Sequence, residues 1–268
     1  MQNRRNFLRS AGALATLSTV GTICASAEGS APSKSVVNQA FHDGMMEDRA
    51  DGAKRALEEL GLDPTVETTR DFQTGDTEDD AAVTPQLHYG DPKDSDSELI
   101  LGLSNAQGAD NVYMTVAMFL DSPSDSLRQT MYCPDAIGIG FNSNDWAAMG
   151  KPSIEATNRH DARYTTDDVA KDALAGTVNL QNHVDRREPG APPSEKFPSS
   201  GITLTGEFRL RDGLPTSLWG SYTHTWAFHP YAGIKTISGG KGGLGIEVSR
   251  GASKCWSLAK PSDPRDHV

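Results

Sequence analysis

Apolar and polar residues alternate most cleanly in the last quarter of the chain. Ile202, Leu204, Phe208 and Leu210 alternate with Thr203, Thr205, Glu207, Arg209 and Arg211, a period of two that predicts a strand with one buried face. Asp212 and Gly213 break it. Residues 218–229 predict a second strand, with Tyr222, His224, Trp226 and Phe228 on one face. Residues 234–237 form a short third. Leu244, Ile246 and Val248 then alternate with Gly245, Glu247 and Ser249, and Gly251 turns the chain into Cys255, Trp256, Ser257 and Leu258. Strands joined by short turns, with no helix between them, pair antiparallel.

The pattern upstream is different. Val37, Ala40, Phe41, Gly44 and Met45, then Ala53, Ala56, Leu57 and Leu60, recur at helical spacing. They predict a helix over 35–60, capped by Ser35 and closed by Gly61, or two short helices because Gly52 weakens the middle. Residues 65–96 are rich in Asp, Thr, Gly and Glu and read as an acidic linker with one short strand near 83–89. Leu99, Ile100 and Leu101 open the core. Residues 112–120 are apolar on both faces, which predicts a central strand, and 136–141 give another. Thr166, two aspartates and Gly176 mark a short helix over 167–174. Four prolines in 188–200 mark a linker.

These elements predict a mostly β fold class: an antiparallel β-sandwich with an N-terminal helix and acidic loops. Along the chain it reads as a signal (1–27), a helical segment (28–64), an acidic linker (65–96), a first β block with a short helix (97–187), a Pro-rich linker (188–200), a C-terminal antiparallel block (201–260) and a frayed polar tail (261–268). The two β blocks form either one sandwich or two domains.

The first residues carry an address. Arg4 and Arg5 precede Phe7 and Leu8, an apolar run covers 11–23, and Ala25 and Ala27 flank a small-x-small cleavage site. This is the layout of a twin-arginine (Tat) export signal. The run is too short and too rich in Gly, Ser and Thr to span a bilayer in comfort, and Gly21 and Ile23 disfavour lipidation of Cys24. The expected partners during export are the Tat translocon and a signal peptidase. The expected location is extracellular, with no transmembrane span in the mature chain.

Charge narrows the function. The chain carries 25 Lys+Arg against 36 Asp+Glu, a net of −11, which repels nucleic acid and anionic membranes. Residues 28–200 hold 31 acids and 14 bases, whereas 201–268 hold 5 and 8. Beyond residue 27, two cysteines remain, Cys133 and Cys255, which in an oxidising compartment form a disulfide or stay as two small buried thiols.

Motifs of chemistry are missing. The glycine-rich run 239–245 lacks the Lys-Ser/Thr pair and the helix beyond it that a phosphate loop needs, and reads as a hairpin turn. No His-Glu-x-x-His, Cys-x-x-Cys or Gly-x-Ser-x-Gly pattern occurs. The acids at 76–80 and 94–98 lack the glycine and terminal Glu of a calcium loop. Glu207 and Arg209 read as a surface pair. Neither a cofactor nor a metal is called for, and no catalytic residue is marked. The aromatic row Tyr222, His224, Trp226 and Phe228, with Trp219 and Trp256, either fills the core or forms a flat platform for sugars.

Asp outnumbers Glu by 24 to 12 and Lys numbers only 10. On a chain with a Tat signal this resembles the proteins of extreme halophiles, haloarchaea above all, although a merely acidic secreted protein fits too. In molar salt, repulsion among such charges is screened within ~3 Å. The stretch 219–226 (WGSYTHTW), then the glycine-rich run, then Lys254, Cys255 and Trp256, resembles the C-terminal β region of a group of secreted, mostly uncharacterised prokaryotic proteins. A similar Tyr-x-His-Thr-Trp strand is found in geobacillin-like antibacterial proteins. The resemblance covers roughly residues 200–260 and transfers no functional residue. Export signal, β architecture and absent catalytic motifs together lead to the expectation of a secreted, non-enzymatic, halophilic protein that binds at the cell surface or envelope. The alternatives are a secreted antimicrobial or toxin-like protein, or an extracellular hydrolase with an unmarked site.

Overall fold

The computed structural model of the protein describes residues 31–74, 96–106, 111–121, 134–157, 161–165, 172–179, 199–211, 214–227, 233–240, 242–249 and 252–268. Helix α1 (Lys34–Glu59) obeys the apolar periodicity of its sequence. Its buried side chains include Val37, Phe41, Met45, Ala53 and Leu57. It is two helical segments joined at Asp48 (φ −148°) and Arg49 (φ 49°). The segments meet at Gly44 and Gly52: a Cβ on Gly52 would lie 2.0 Å from the Gly44 carbonyl oxygen, so the approach requires glycine on both sides. Gly61, at φ +75°, takes the left-handed turn that ends the helix.

Beyond the helix the chain builds two antiparallel sheets. The first runs β1 (Leu62–Thr69), β3 (Glu98–Ala106), β4 (Asn111–Leu120), β10 (Ser200–Leu210) and β6 (Trp146–Ala148), with β7 (Ser153–Ala156) also on β10. The second runs β2 (Gln73–Thr74), β14 (Ala252–Ser262), β11 (Leu218–Ala227), β5 (Asp135–Gly140), β9 (Ala173–Asn179) and β8 (Asp161–Thr165). A separate hairpin pairs β12 (Ile234–Ser238) with β13 (Gly245–Val248).

Side-chain parity explains the layering. From β3 and β4, Leu99, Leu101, Leu103, Val112, Met114, Val116 and Met118 enter the core between the sheets. They meet Ile137, Ile139, Leu174, Tyr222, Trp256 and Leu258 from the second sheet. The opposite parity, Ile100, Tyr113, Ala117 and Phe119, packs under α1. Ala136 and Ala175 pack under Ile237 and Ile246 of the hairpin. Strand β4 is therefore apolar on both faces because a sheet covers one and a helix the other. The β-sandwich expected from the alternating pattern is the observed architecture. Both β blocks contribute to both sheets: β10 pairs with β4, and β11 with β5.

Three local expectations are corrected. Residues 173–174, expected to end a helix, lie in β9, where Leu174 faces Ile139 of β5 across the ladder and is buried in the core. The supposed linker begins as β1, with Val66 opposite Gly102. The tail does not fray: β14 extends to Ser262 and a 3-10 turn, Pro264–His267, closes the chain. His267 is buried, its Nε2 2.9 Å from the Thr65 hydroxyl, and its carbonyl accepts from Asn105 Nδ2 at 3.0 Å. The short strand expected near 83–89 lies outside the described residues.

Candidate binding groove and a buried polar cluster

A groove of about 440 Å³ opens beside the start of β11. Phe141, Leu214, Pro215 and Trp219 supply its apolar surface, and Asn142 and Arg265 supply polar groups. Leu214 is 86 % exposed, an apolar side chain held in water. Trp219 is half-buried.

Hydrogen bonds fix the walls. Asp145 Oδ2 accepts from Asn142 Nδ2 at 2.6 Å and from the Thr216 hydroxyl at 2.8 Å. The buried indole of Trp146 donates to the Thr216 carbonyl at 2.9 Å, and the Arg211 amide to the Asp145 carbonyl at 2.8 Å. The loop after β5 and the loop before β11 are thus tied by side chain and backbone. On the third side, Arg265 Nε donates to both carboxylate oxygens of Asp263, at 2.9 and 2.8 Å. The Arg265 guanidinium and its amide hold the Asp263 carboxyl down at about 2. A flat apolar ring, an exposed aliphatic side chain and a few anchored donors and acceptors make a surface suited to a sugar ring or similar amphipathic ligand.

The aromatic row of β11 lies elsewhere. Tyr222 and His224 are 0 % exposed and point between the sheets. Asp135, at the start of β5 and also 0 % exposed, collects three donors. The Tyr222 hydroxyl donates to Oδ2, the Thr225 amide to Oδ1 at 2.9 Å, and His224 Nδ1 lies 2.9 and 3.0 Å from the two oxygens. Burial, then the Asp135 charge, push the Tyr222 phenol well above its usual range. Trp256 stacks on His224 at 5.1 Å and packs on Tyr222 at 5.6 Å. With no exposed atom, this cluster positions strands and offers no face to a ligand. Trp226 belongs to β11, and Phe228 lies outside the described residues.

Parity separates the two sites. Trp219 is odd-numbered and sits on the opposite face of β11 from Tyr222 and His224. The sequence named it among the platform residues, but gave no functional reading for Phe141, Asn142 and residues 214–217, which line the groove with it.

The remaining marked residues are dispersed. Arg4, Arg5, Phe7, Leu8, Ala25, Ala27 and Cys133 lie outside the described residues, and Cys255 is a β14 residue. Run 239–245 joins β12 to β13. Of the acidic stretch 94–98, Asp96 pairs with Arg70 at 3.1 Å, and buried Glu98 with Arg70 at 3.4 Å and Arg49 at 3.9 Å. Glu207 accepts from Asn111 at 2.6 Å and lies 3.9 Å from Lys34; these partners replace the expected Arg209. Among the described residues no three His, Cys, Asp or Glu side chains cluster to hold a metal, and no helix is long and apolar enough to cross a membrane.

No family model matches the chain, and no curated protein matches it. Solved structures give faint likenesses. A variant of BcpA, the major pilin subunit of Bacillus cereus, aligns at 10% identity and TM-score 0.27, over 54% of this chain and 34% of the pilin. The chain thus spans about a third of that protein. The KRT10-binding region domain of the pneumococcal serine rich repeat protein PsrP aligns at 12% and 0.29, over 70% of this chain and 99% of that one. A structure of Fap1, from work on Streptococcus parasanguinis adhesion by Fap1 fimbriae, aligns at 8% and 0.28, over 75% of this chain and 100% of that one. TM-scores this low leave the likenesses without weight for function.

Proposed function

We propose that this chain is a non-enzymatic binding protein of the cell surface or envelope, exported by the twin-arginine route and adapted to high salt, and that it takes an amphipathic ligand such as a glycan in the groove beside Trp219. The groove carries this reading: exposed Leu214 and half-buried Trp219 line it, on segments held by Asp145, Asn142 and Thr216, so little order is lost when a ligand docks. The signal at Arg4 and Arg5 supports export, and the excess of Asp over Lys supports the salt environment. The buried state of Asp135 and His224 gives the hydrolase alternative no accessible carboxylate–imidazole pair at this position.

The test is indole fluorescence of the folded chain, titrated with cell-envelope polysaccharides in molar salt. Saturable quenching that Trp219→Ala abolishes, with an unchanged melting temperature, is the expected result. Quenching that survives Trp219→Ala, or none across a broad polysaccharide panel, overturns the assignment. Killing of neighbouring strains by salt-matched supernatant would instead favour the toxin-like alternative.

A further inference from the structure

The seam between α1 and β10 holds a group of side chains that the groove does not use. His42, Met45 and Met46 stand at i, i+3 and i+4 on one face of α1, and that face lies over Gly201 at the start of β10. His42 is 7 % exposed, and its Nε2 is buried without a hydrogen-bond partner. Its other ring nitrogen lies 3.5 Å from Asp43. A Cβ on Gly201 would sit 3.6 Å from His42 Nε2, 2.8 Å from Met46 Sδ and 2.3 Å from the Met45 methyl. His42 Nε2, Met46 Sδ and the Met45 methyl therefore crowd one face of Gly201, where only glycine fits beneath them. Thr157 steadies the arrangement: its hydroxyl reaches Met46 Sδ at 3.8 Å and accepts from the Gly201 amide at 2.9 Å.

A buried imidazole nitrogen with no partner needs an occupant to explain it. The donors placed there are one imidazole nitrogen and one thioether sulfur, neither of them anionic and the sulfur soft, with the Met45 methyl packed beside them. Such a set suits a soft monovalent ion and is poor for calcium, magnesium or zinc. We propose that His42 and Met46 form a binding site for a monovalent ion of the Cu(I) class, with the Met45 methyl packed against it. Along the same seam, Asn38 Nδ2 and Thr203 Oγ1 are also buried without partners. Water satisfies an amide or a hydroxyl, but it gains nothing from a thioether, so a water-filled seam is the competing outcome of the test.

The experiment labels the methyl groups of the seven methionines with carbon-13 in the full, reduced chain. Ag(I), a redox-inert probe for Cu(I), is added in chloride-free nitrate beyond the equivalents that the three cysteines can bind. The Met45 and Met46 signals, assigned with Met45→Leu and Met46→Leu, are expected to shift together, while zinc leaves them in place. Competition for Cu(I) against a chromophoric chelator is expected to weaken at least tenfold in His42→Gln and in Met46→Leu, with melting temperatures of the metal-free variants near that of the parent. Unmoved Met45 and Met46 methyls in excess Ag(I) overturn the site whatever the variants do. So does Cu(I) affinity that is equal in parent and variants.

Discussion

At the scale of single residues, the strongest constraint is Asp135. Its carboxylate is the shared acceptor for Tyr222, His224 and Thr225, inside a core that excludes water. Removing one member of such a set strands the others, so Asp135→Ala is expected to cost about 3–5 kcal/mol. Tyr222→Phe removes one donor and is expected to cost about 1–3 kcal/mol. Denaturant midpoints measure both; an Asp135→Ala protein as stable as the parent would refute the cluster's structural role. His267 gives a pH signature. Burial lowers its imidazole below the ordinary 6.5, so the unfolded chain binds the proton more readily than the folded one. Its contribution is intact above pH 6.5 and is lost as pH falls from there through the folded value. Stability is expected to decline over that window, and His267→Asn is expected to decline less steeply, as thermal melts across the acid range will read.

At the scale of elements, the turn inside α1 makes a sharp case. Alanine favours helix over glycine by about 1 kcal/mol, yet Gly52→Ala is expected to destabilise by about 1–3 kcal/mol, because its Cβ collides with the Gly44 backbone. A melting temperature that rises would show that the two segments separate freely. The same comparison of local against distant forces explains what the sequence disclosed. The alternation in β10 and β11, the two-faced run of β4 and the helical spacing of α1 are statements about adjacent residues, and they were legible. The cues at Thr166 and the aspartates after it were local too. They pointed to a helix reaching residue 174, whereas pairing with β5 makes residues 173–179 a strand. Pro264 and His267 looked like a frayed end because their partners, Thr65 and Asn105, are far away in sequence. The groove was half legible: Trp219 was visible as an aromatic residue. Its separation from the buried row, and the Asp145 ties that shape its surroundings, arise only when the two loops meet.

At the scale of the whole molecule, the sheets interleave the two β blocks. Strand β10 pairs with β4 along its length, and β5 sits between β11 and β9. A protease site placed in the Pro-rich stretch 188–198 is therefore expected to yield two fragments that elute as one particle in native buffer and part only in denaturant. Fragments that separate on dilution would mean two independent domains. The position of the late strands has a further consequence. In the first sheet β10 is internal, and in the second β14 lies between β2 and β11. The second sheet cannot close until residue 262 has left the ribosome. At roughly 5–20 residues per second, β4 emerges many seconds before β10 and waits with one apolar edge unpaired.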